Sequence, residues 1–191
     1  MIYKIGIAVF YVYFKLLFRA KVTGLANIPE GGPVILCSNH ISNYDPLLLG
    51  SLIRKRKLHF MAKAELFRIP VLGYLVKALG AFPVDRDAPD ISSYRAGLKV
   101  LKEGRVLSIF AQGRRFKEID AKDAKSGVAL FALKADANVI PIKIEPGYRL
   151  FRRMYIRIGS PVDLSAFRGQ KTRSDTLKYA ADVIVNRIAE L

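Results

Sequence analysis

The chain has 191 residues, 51% of them hydrophobic, and 32 Lys and Arg stand against 16 Asp and Glu, a formal charge of +16. That length suits one domain with a core able to stand without covalent staples, and the single cysteine, Cys37, excludes an internal disulfide and fits a reducing compartment. So much positive charge combined with a positive mean hydropathy, +0.18, speaks against a nucleic-acid binder, and no zinc-ligand spacing, RNA-binding signature or basic heptad region is present.

The N-terminal segment explains part of the hydropathy. Ile5 to Phe14 carries no charge, Lys15 interrupts, and Leu16-Leu17-Phe18 precede Arg19 and Lys21. The run is shorter than the roughly 20 apolar residues of a spanning helix, and it lacks a signal-peptide cleavage site. Wound at 100° per residue, Lys4, Ala8, Tyr11, Lys15 and Arg19 share one stripe, and apolar side chains cover most of the rest. The pattern predicts an amphipathic helix in residues 1–23, lying in the interface of an anionic phospholipid membrane. A helix docked on the protein's own core is the alternative. Residues 24–191 form the remaining domain.

Gly24 to Pro33 is a turn-rich connector, and Val34 to Ser38, with Cys37 as a small core residue, reads as a buried strand. Asp45 and Pro46 read as N-cap and first residue of a helix to about Ile53. Arg54-Lys55-Arg56-Lys57 closes it, either as a solvated cap or as a phospholipid contact. Leu58–Ala62 is a strand in which His59 reads as structural. Glu65–Leu79 is apolar, broken at Pro70, and reads as one or two short helices. Strands are predicted at Ala81–Val84, Val106–Phe110, Val139–Ile144 and Met154–Ile158. Helices are predicted at Ile91–Glu103, stopped by Gly104, at Gly127–Ala135 and at Ser174–Ala189, with a polar loop over Gly113–Lys125. The alternation defines an α/β fold with a mixed, largely parallel sheet flanked by helices.

Sites in such sheets form at the carboxyl ends of strands. Three strand ends carry polar groups: Asn39-His40, Asp85-Arg86 and Gln112-Gly113-Arg114-Arg115. His40 can act as a base, since an imidazole's ordinary value of about 6.5 leaves it neutral near pH 7. The loop to Asp45 is short enough to fold back, so that the carboxylate holds one ring nitrogen and frees the other; capping alone is the other role open to Asp45. Arginine forks suit phosphate, and Gly113 lets backbone approach a ligand. A base beside phosphate-binding arginines points to a phosphorylated lipid or glycerol with a free hydroxyl.

Asn39-His40-x4-Asp45 resembles the first motif, HX4D, of the glycerolipid acyltransferases. The likeness extends over about residues 25 to 165. Gly80-Ala81-Phe82-Pro83-Val84-Asp85-Arg86 resembles the second block of that family. Phe110-Ala111-Gln112-Gly113-Arg114-Arg115 stands where the third, Phe-Pro-Glu-Gly-Thr-Arg, belongs, and Val139-Ile140-Pro141-Ile142 resembles the fourth.

The resemblance implies a glycerol-3-phosphate acyltransferase-like fold and a transferase of phospholipid biosynthesis. It would act at the cytoplasmic face of the cell membrane as a peripheral or monotopic protein. His40 would be general base on a glycerol hydroxyl and Asp45 would orient it. Asn39, Arg86, Gln112, Gly113, Arg114, Arg115 and Pro141 would bind substrate. The hydroxyl of a lysophospholipid, foremost lysophosphatidic acid, would attack the thioester of acyl-CoA or acyl carrier protein, with no metal and no bound cofactor. Leu66 to Leu79 offers candidates for an acyl-tunnel wall, although ordinary core packing explains them better.

The third block departs from the pattern at Ala111, Gln112 and Arg114. Gln112 removes a negative charge and Arg114 adds a positive one. Two other outcomes are therefore expected to compete: an acyltransferase with another acceptor, such as glycerol 3-phosphate or an aminolipid, and a membrane-lipid-binding member without turnover.

Overall fold

Strand β2, Val34–Ser38, is buried at all five positions, as a strand covered on both faces must be, and the sheet is built around it. The computed structural model describes residues 2–70, 72–84, 91–113, 115, 119–120, 124–145 and 147–191. On one side β2 pairs with β5 (Val106–Phe110), which leads to β3 (Leu58–Lys63) and β4 (Ala81–Val84). On the other side it pairs with β6 (Asn138–Glu145), followed by β7 (Tyr155–Ile158) and β1 (Lys21–Thr23). Among the described residues only the β6–β7 pair is antiparallel. The mixed, largely parallel sheet is the one the alternation of elements predicts.

Successive residues of β2 point to opposite faces, and each face carries its own helices. Val34 and Leu36 meet α1 (Ile2–Leu17) and α2 (Asp45–Leu52) through Phe14, Leu48, Leu49 and Leu52. Ile35 and Cys37 meet α4 (Ile91–Lys102), α5 (Gly127–Ala135) and α6 (Ser174–Ala189) through Leu101, Ala129, Ala181 and Ile184. Each Val, Leu, Ile or Phe side chain fully removed from water contributes about 1.5–3 kcal/mol. Burial pushes the Cys37 thiol up to about 12, so it stays a neutral core group at physiological pH. α4 stops at Gly104, whose φ of 67° lets the Arg105 N–H return to the Val100 carbonyl.

Several elements differ from expectation, each for a physical reason. β1 was not foreseen, because a three-residue strand carries too little pattern to read; its pairing with β7 takes residues 21–23 into the sheet. The apolar stretch around Pro70, in contrast, forms two short helices as expected, a 3₁₀ turn at Ala64–Arg68 and α3 at Leu72–Ala78. α2 begins at Asp45 itself, with Tyr44 already in the helical region. Asp45 therefore does not serve as N-cap: the Leu48 N–H bonds the Tyr44 carbonyl, and the carboxylate turns back over the preceding loop.

α1 combines both readings of its apolar surface. Phe14 is fully buried and Ile7 nearly so, whereas Ile5, Val9, Val12 and Leu16 face outward. No helix among the described residues is long and apolar enough to cross a membrane.

Two residues of the basic run after α2, Lys55 and Arg56, are bonded within the protein. Lys55 donates to the Ile28 carbonyl at 2.8 Å. Arg56 donates to the carbonyls of Pro29, Gly32 and Gly104, tying the connector before β2 to the turn before β5. Arg56→Met leaves these carbonyls unpaired and is expected to cost about 1–3 kcal/mol in urea unfolding, while vesicle sedimentation of the folded protein stays as in the wild type. A loss of vesicle binding without a loss of stability would assign this run to lipid instead.

Candidate active site

The site grows from the carboxyl end of β2. The Asn39 side chain clasps the neighbouring strand: its Nδ2 donates to the Ile144 carbonyl at 3.0 Å and its Oδ1 accepts the Ile144 N–H at 2.9 Å. Both amide functions are thus engaged in fixing the end of β2 against β6, the platform from which His40 leaves. On the other flank the Ala111 N–H donates to the Ser38 carbonyl at 2.9 Å, which draws the third block against the first. The Phe110 ring lies flat on the imidazole, centroids 3.9 Å apart and 15° from parallel.

His40 and Asp45 meet, as their spacing predicts. Nδ1 of His40 lies 2.7 Å from Oδ2 of Asp45. The same oxygen accepts the N–H groups of Ile41 at 2.7 Å and Ser42 at 2.8 Å. Asp45 is fully buried and heads α2, where the helix dipole favours negative charge. An oxygen that already accepts two backbone N–H groups carries no proton, so His40 must donate through Nδ1. In the neutral ring that tautomer leaves the lone pair on Nε2, which no described residue engages.

The second carboxylate oxygen accepts the Tyr148 hydroxyl at 2.7 Å. Burial, and then the neighbouring Asp45 charge, raise the phenol well above its usual range, so it remains a donor. Its ring packs against Phe14 and Phe18 of the N-terminal segment and against Tyr44. Sequence reasoning missed Tyr148. It stands 103 residues from Asp45, and no local pattern marks it; the adjacency of β6 to β2 is what brings the loop after β6 to this site.

Gln112 is buried in the turn after β5, and Gly113, with φ 68°, closes that turn through its N–H to the Phe110 carbonyl at 3.0 Å. Arg115 is exposed at the same strand end. Arg86 and Arg114 lie outside the described residues. Pro141 is buried within β6 opposite Cys37, its carbonyl accepting the Gly159 N–H at 2.9 Å, so it sits in the body of the sheet and not beside His40. His59 bonds the Val106 carbonyl through Nδ1 at 3.2 Å, consistent with its structural reading. A separate groove of about 450 Å³ runs between Phe67, Tyr74, Lys77 and Ala81–Pro83 of β4.

Fold and site define an α/β protein that presents a carboxylate-oriented imidazole base at the carboxyl edge of a largely parallel sheet. Residues 19–145 match the family model described as Acyltransferase, and the chain belongs to the acyltransferase family. A 1-acyl-sn-glycerol-3-phosphate acyltransferase of Bacillus subtilis (strain 168) is 31% identical over 176 residues, covering 90% of this chain and 87% of that protein. One from Streptococcus pneumoniae is 31% identical over 137 residues, covering 69% of this chain and 50% of that protein. The crystal structure of the 1-acyl-sn-glycerophosphate (LPA) acyltransferase PlsC from Thermotoga maritima shares the fold, with a TM-score of 0.69, 24% identity, and coverage of 99% of this chain and 77% of that one.

Tyr148→Phe keeps the ring packing and deletes one hydrogen bond to the carboxylate. Losing a bond to a charged group lowers kcat by about tenfold or more, with KM little changed. In an Asp45→Asn background the same change is expected to have no further effect, because both act through one carboxylate. Equal kcat for wild type and Tyr148→Phe would remove Tyr148 from the site.

Proposed function

We propose that this protein transfers a fatty acyl group from acyl-CoA or acyl carrier protein to the free hydroxyl of lysophosphatidic acid, giving phosphatidic acid. The observation that carries the reading is the His40–Asp45 pair, held in the tautomer that leaves Nε2 free. Nε2 takes the hydroxyl proton as the oxygen attacks the thioester carbonyl carbon. The tetrahedral intermediate collapses, the C–S bond breaks, and the thiolate leaves with the proton returned by the imidazolium. A positioned base of this kind contributes roughly 10² to 10⁴-fold, and no step draws on a metal or a bound cofactor. The activity for which the relatives above are named supports the acceptor.

Arg115, and by sequence Arg86 and Arg114, would hold the acceptor phosphate. The groove beside Phe67 and Tyr74 has the apolar lining an acyl chain requires. Peripheral attachment to the cytoplasmic face of an anionic membrane would come from the outward ridge of α1. Ile5, Val9, Val12 and Leu16 fall on one helical face and are 51–67% exposed, an arrangement suited to lying in the interface.

One observation favours a second acceptor. Buried Gln112 stands where the family pattern has glutamate, and a neutral amide needs no counter-charge at a position where a carboxylate would. A head group other than lysophosphatidic acid then becomes the alternative substrate.

The test is acyl transfer by the purified protein on anionic vesicles with labelled acyl-CoA and acyl carrier protein, against lysophosphatidic acid, glycerol 3-phosphate and a lysolipid panel. Formation of phosphatidic acid that disappears in His40→Ala is expected. Gln112→Glu is expected to change acceptor preference more than stability. Turnover that survives His40→Ala would refute the mechanism, and product from another acceptor alone would move the assignment to the second reading.

A further inference from the structure

The loop after β6 carries Arg149-Leu150-Phe151-Arg152-Arg153, and all five residues are exposed. Leu150 and Phe151 are 60% and 63% exposed, an apolar pair at the tip of a short loop with cations on both sides. No carboxylate among the described residues pairs with these three arginines. The tip is not a loose end. The Phe151 N–H donates to the Leu17 carbonyl at 2.6 Å, the Met154 N–H to the Phe18 carbonyl at 3.1 Å, and the Lys21 N–H to the Met154 carbonyl at 2.8 Å. Phe151 is held at φ 58°, a conformation an aromatic residue seldom takes. These bonds seat the tip against the last turn of α1, where exposed Leu16 adjoins Leu17. The apolar ridge of α1 thereby continues onto the loop.

We infer that the Arg149–Arg153 loop is a second membrane-contact element, which inserts Leu150 and Phe151 into an anionic bilayer while its arginines meet lipid phosphates. The inference rests on the membrane reading of α1 given above and extends it. The pattern of a small apolar tip ringed by arginines matches a bilayer interface, where apolar atoms enter the acyl boundary and guanidinium groups stay at head-group level. A protein partner would be expected to offer carboxylates to the arginines and also a pocket for the tip. The placement has a functional consequence. The residue preceding the loop is Tyr148, bonded to Asp45, so insertion of the tip puts the mouth of the site at the head-group surface. A lysophospholipid could then present its hydroxyl to His40 without leaving the membrane.

The chain contains no tryptophan, so single reporters can be introduced into the full-length protein. Phe151→Trp reads the loop and Val12→Trp reads α1, each titrated with phosphatidylglycerol–phosphatidylcholine vesicles that contain brominated lipid. Blue-shifted and quenched emission from both is expected. Leu150→Ser with Phe151→Ser, checked for an unchanged melting temperature, should weaken vesicle partitioning by roughly tenfold or more. Changing Arg149, Arg152 or Arg153 to Gln should each cost roughly fivefold on anionic vesicles and little on pure phosphatidylcholine. A response from Val12→Trp with none from Phe151→Trp would overturn the inference and leave the α1 reading standing. Silence from both would overturn both. A Phe151→Trp response to acyl carrier protein and not to vesicles would make the loop a protein dock and overturn the inference.

Discussion

Everything at this site depends on one buried carboxylate. Asp45 accepts hydrogen bonds from His40, from two backbone N–H groups and from Tyr148. A buried charge with no partner is strongly destabilising; one that accepts four hydrogen bonds at the head of a helix is stable and immobile. On the proposed mechanism the same four contacts also position the base. They fix the loop between β2 and α2, set the imidazole tautomer and hold the ring against Phe110. Folding and the proposed chemistry share these bonds, so the site would be preorganised before substrate arrives.

The carboxylate also joins parts of the chain that are distant in sequence. Through Tyr148 it touches the loop after β6, and through Tyr148's ring it reaches Phe14 and Phe18. The N-terminal segment that exposes an apolar ridge outward therefore packs, on its inner side, one residue away from the His40–Asp45 pair. On the proposed reading, this is a direct route by which seating on lipid and orienting the base would become one structural event.

Much of this was legible in the residues. His40 and Asp45 could be paired from sequence because a four-residue loop leaves little freedom, and β2 could be read because a strand buried on both faces is apolar without interruption. The helix stop at Gly104 followed from local conformational preference. What escaped were consequences of strand order: Tyr148 and the Asn39 clasp on Ile144 depend on β6 lying beside β2, and the edge strand β1 depends on β7 lying beyond β6. Asp45 looked like a cap because capping and orienting residues share a sequence signature, and only the direction of the carboxylate separates them. The basic run at Arg54–Lys57 was ambiguous for a related reason: composition shows charge but not which carbonyls it meets.

On the proposed mechanism, Asp45 holds His40 with its proton on Nδ1 and its lone pair on Nε2. The chain has two histidines, so ¹⁵N-imidazole NMR of a His59→Gln variant observes His40 alone. The mechanism expects, well above the ordinary imidazole value of about 6.5, a slowly exchanging Nδ1–H and an unprotonated Nε2, with that preference lost in Asp45→Asn. A proton on Nε2, or two tautomers in rapid exchange in the presence of Asp45, would contradict it.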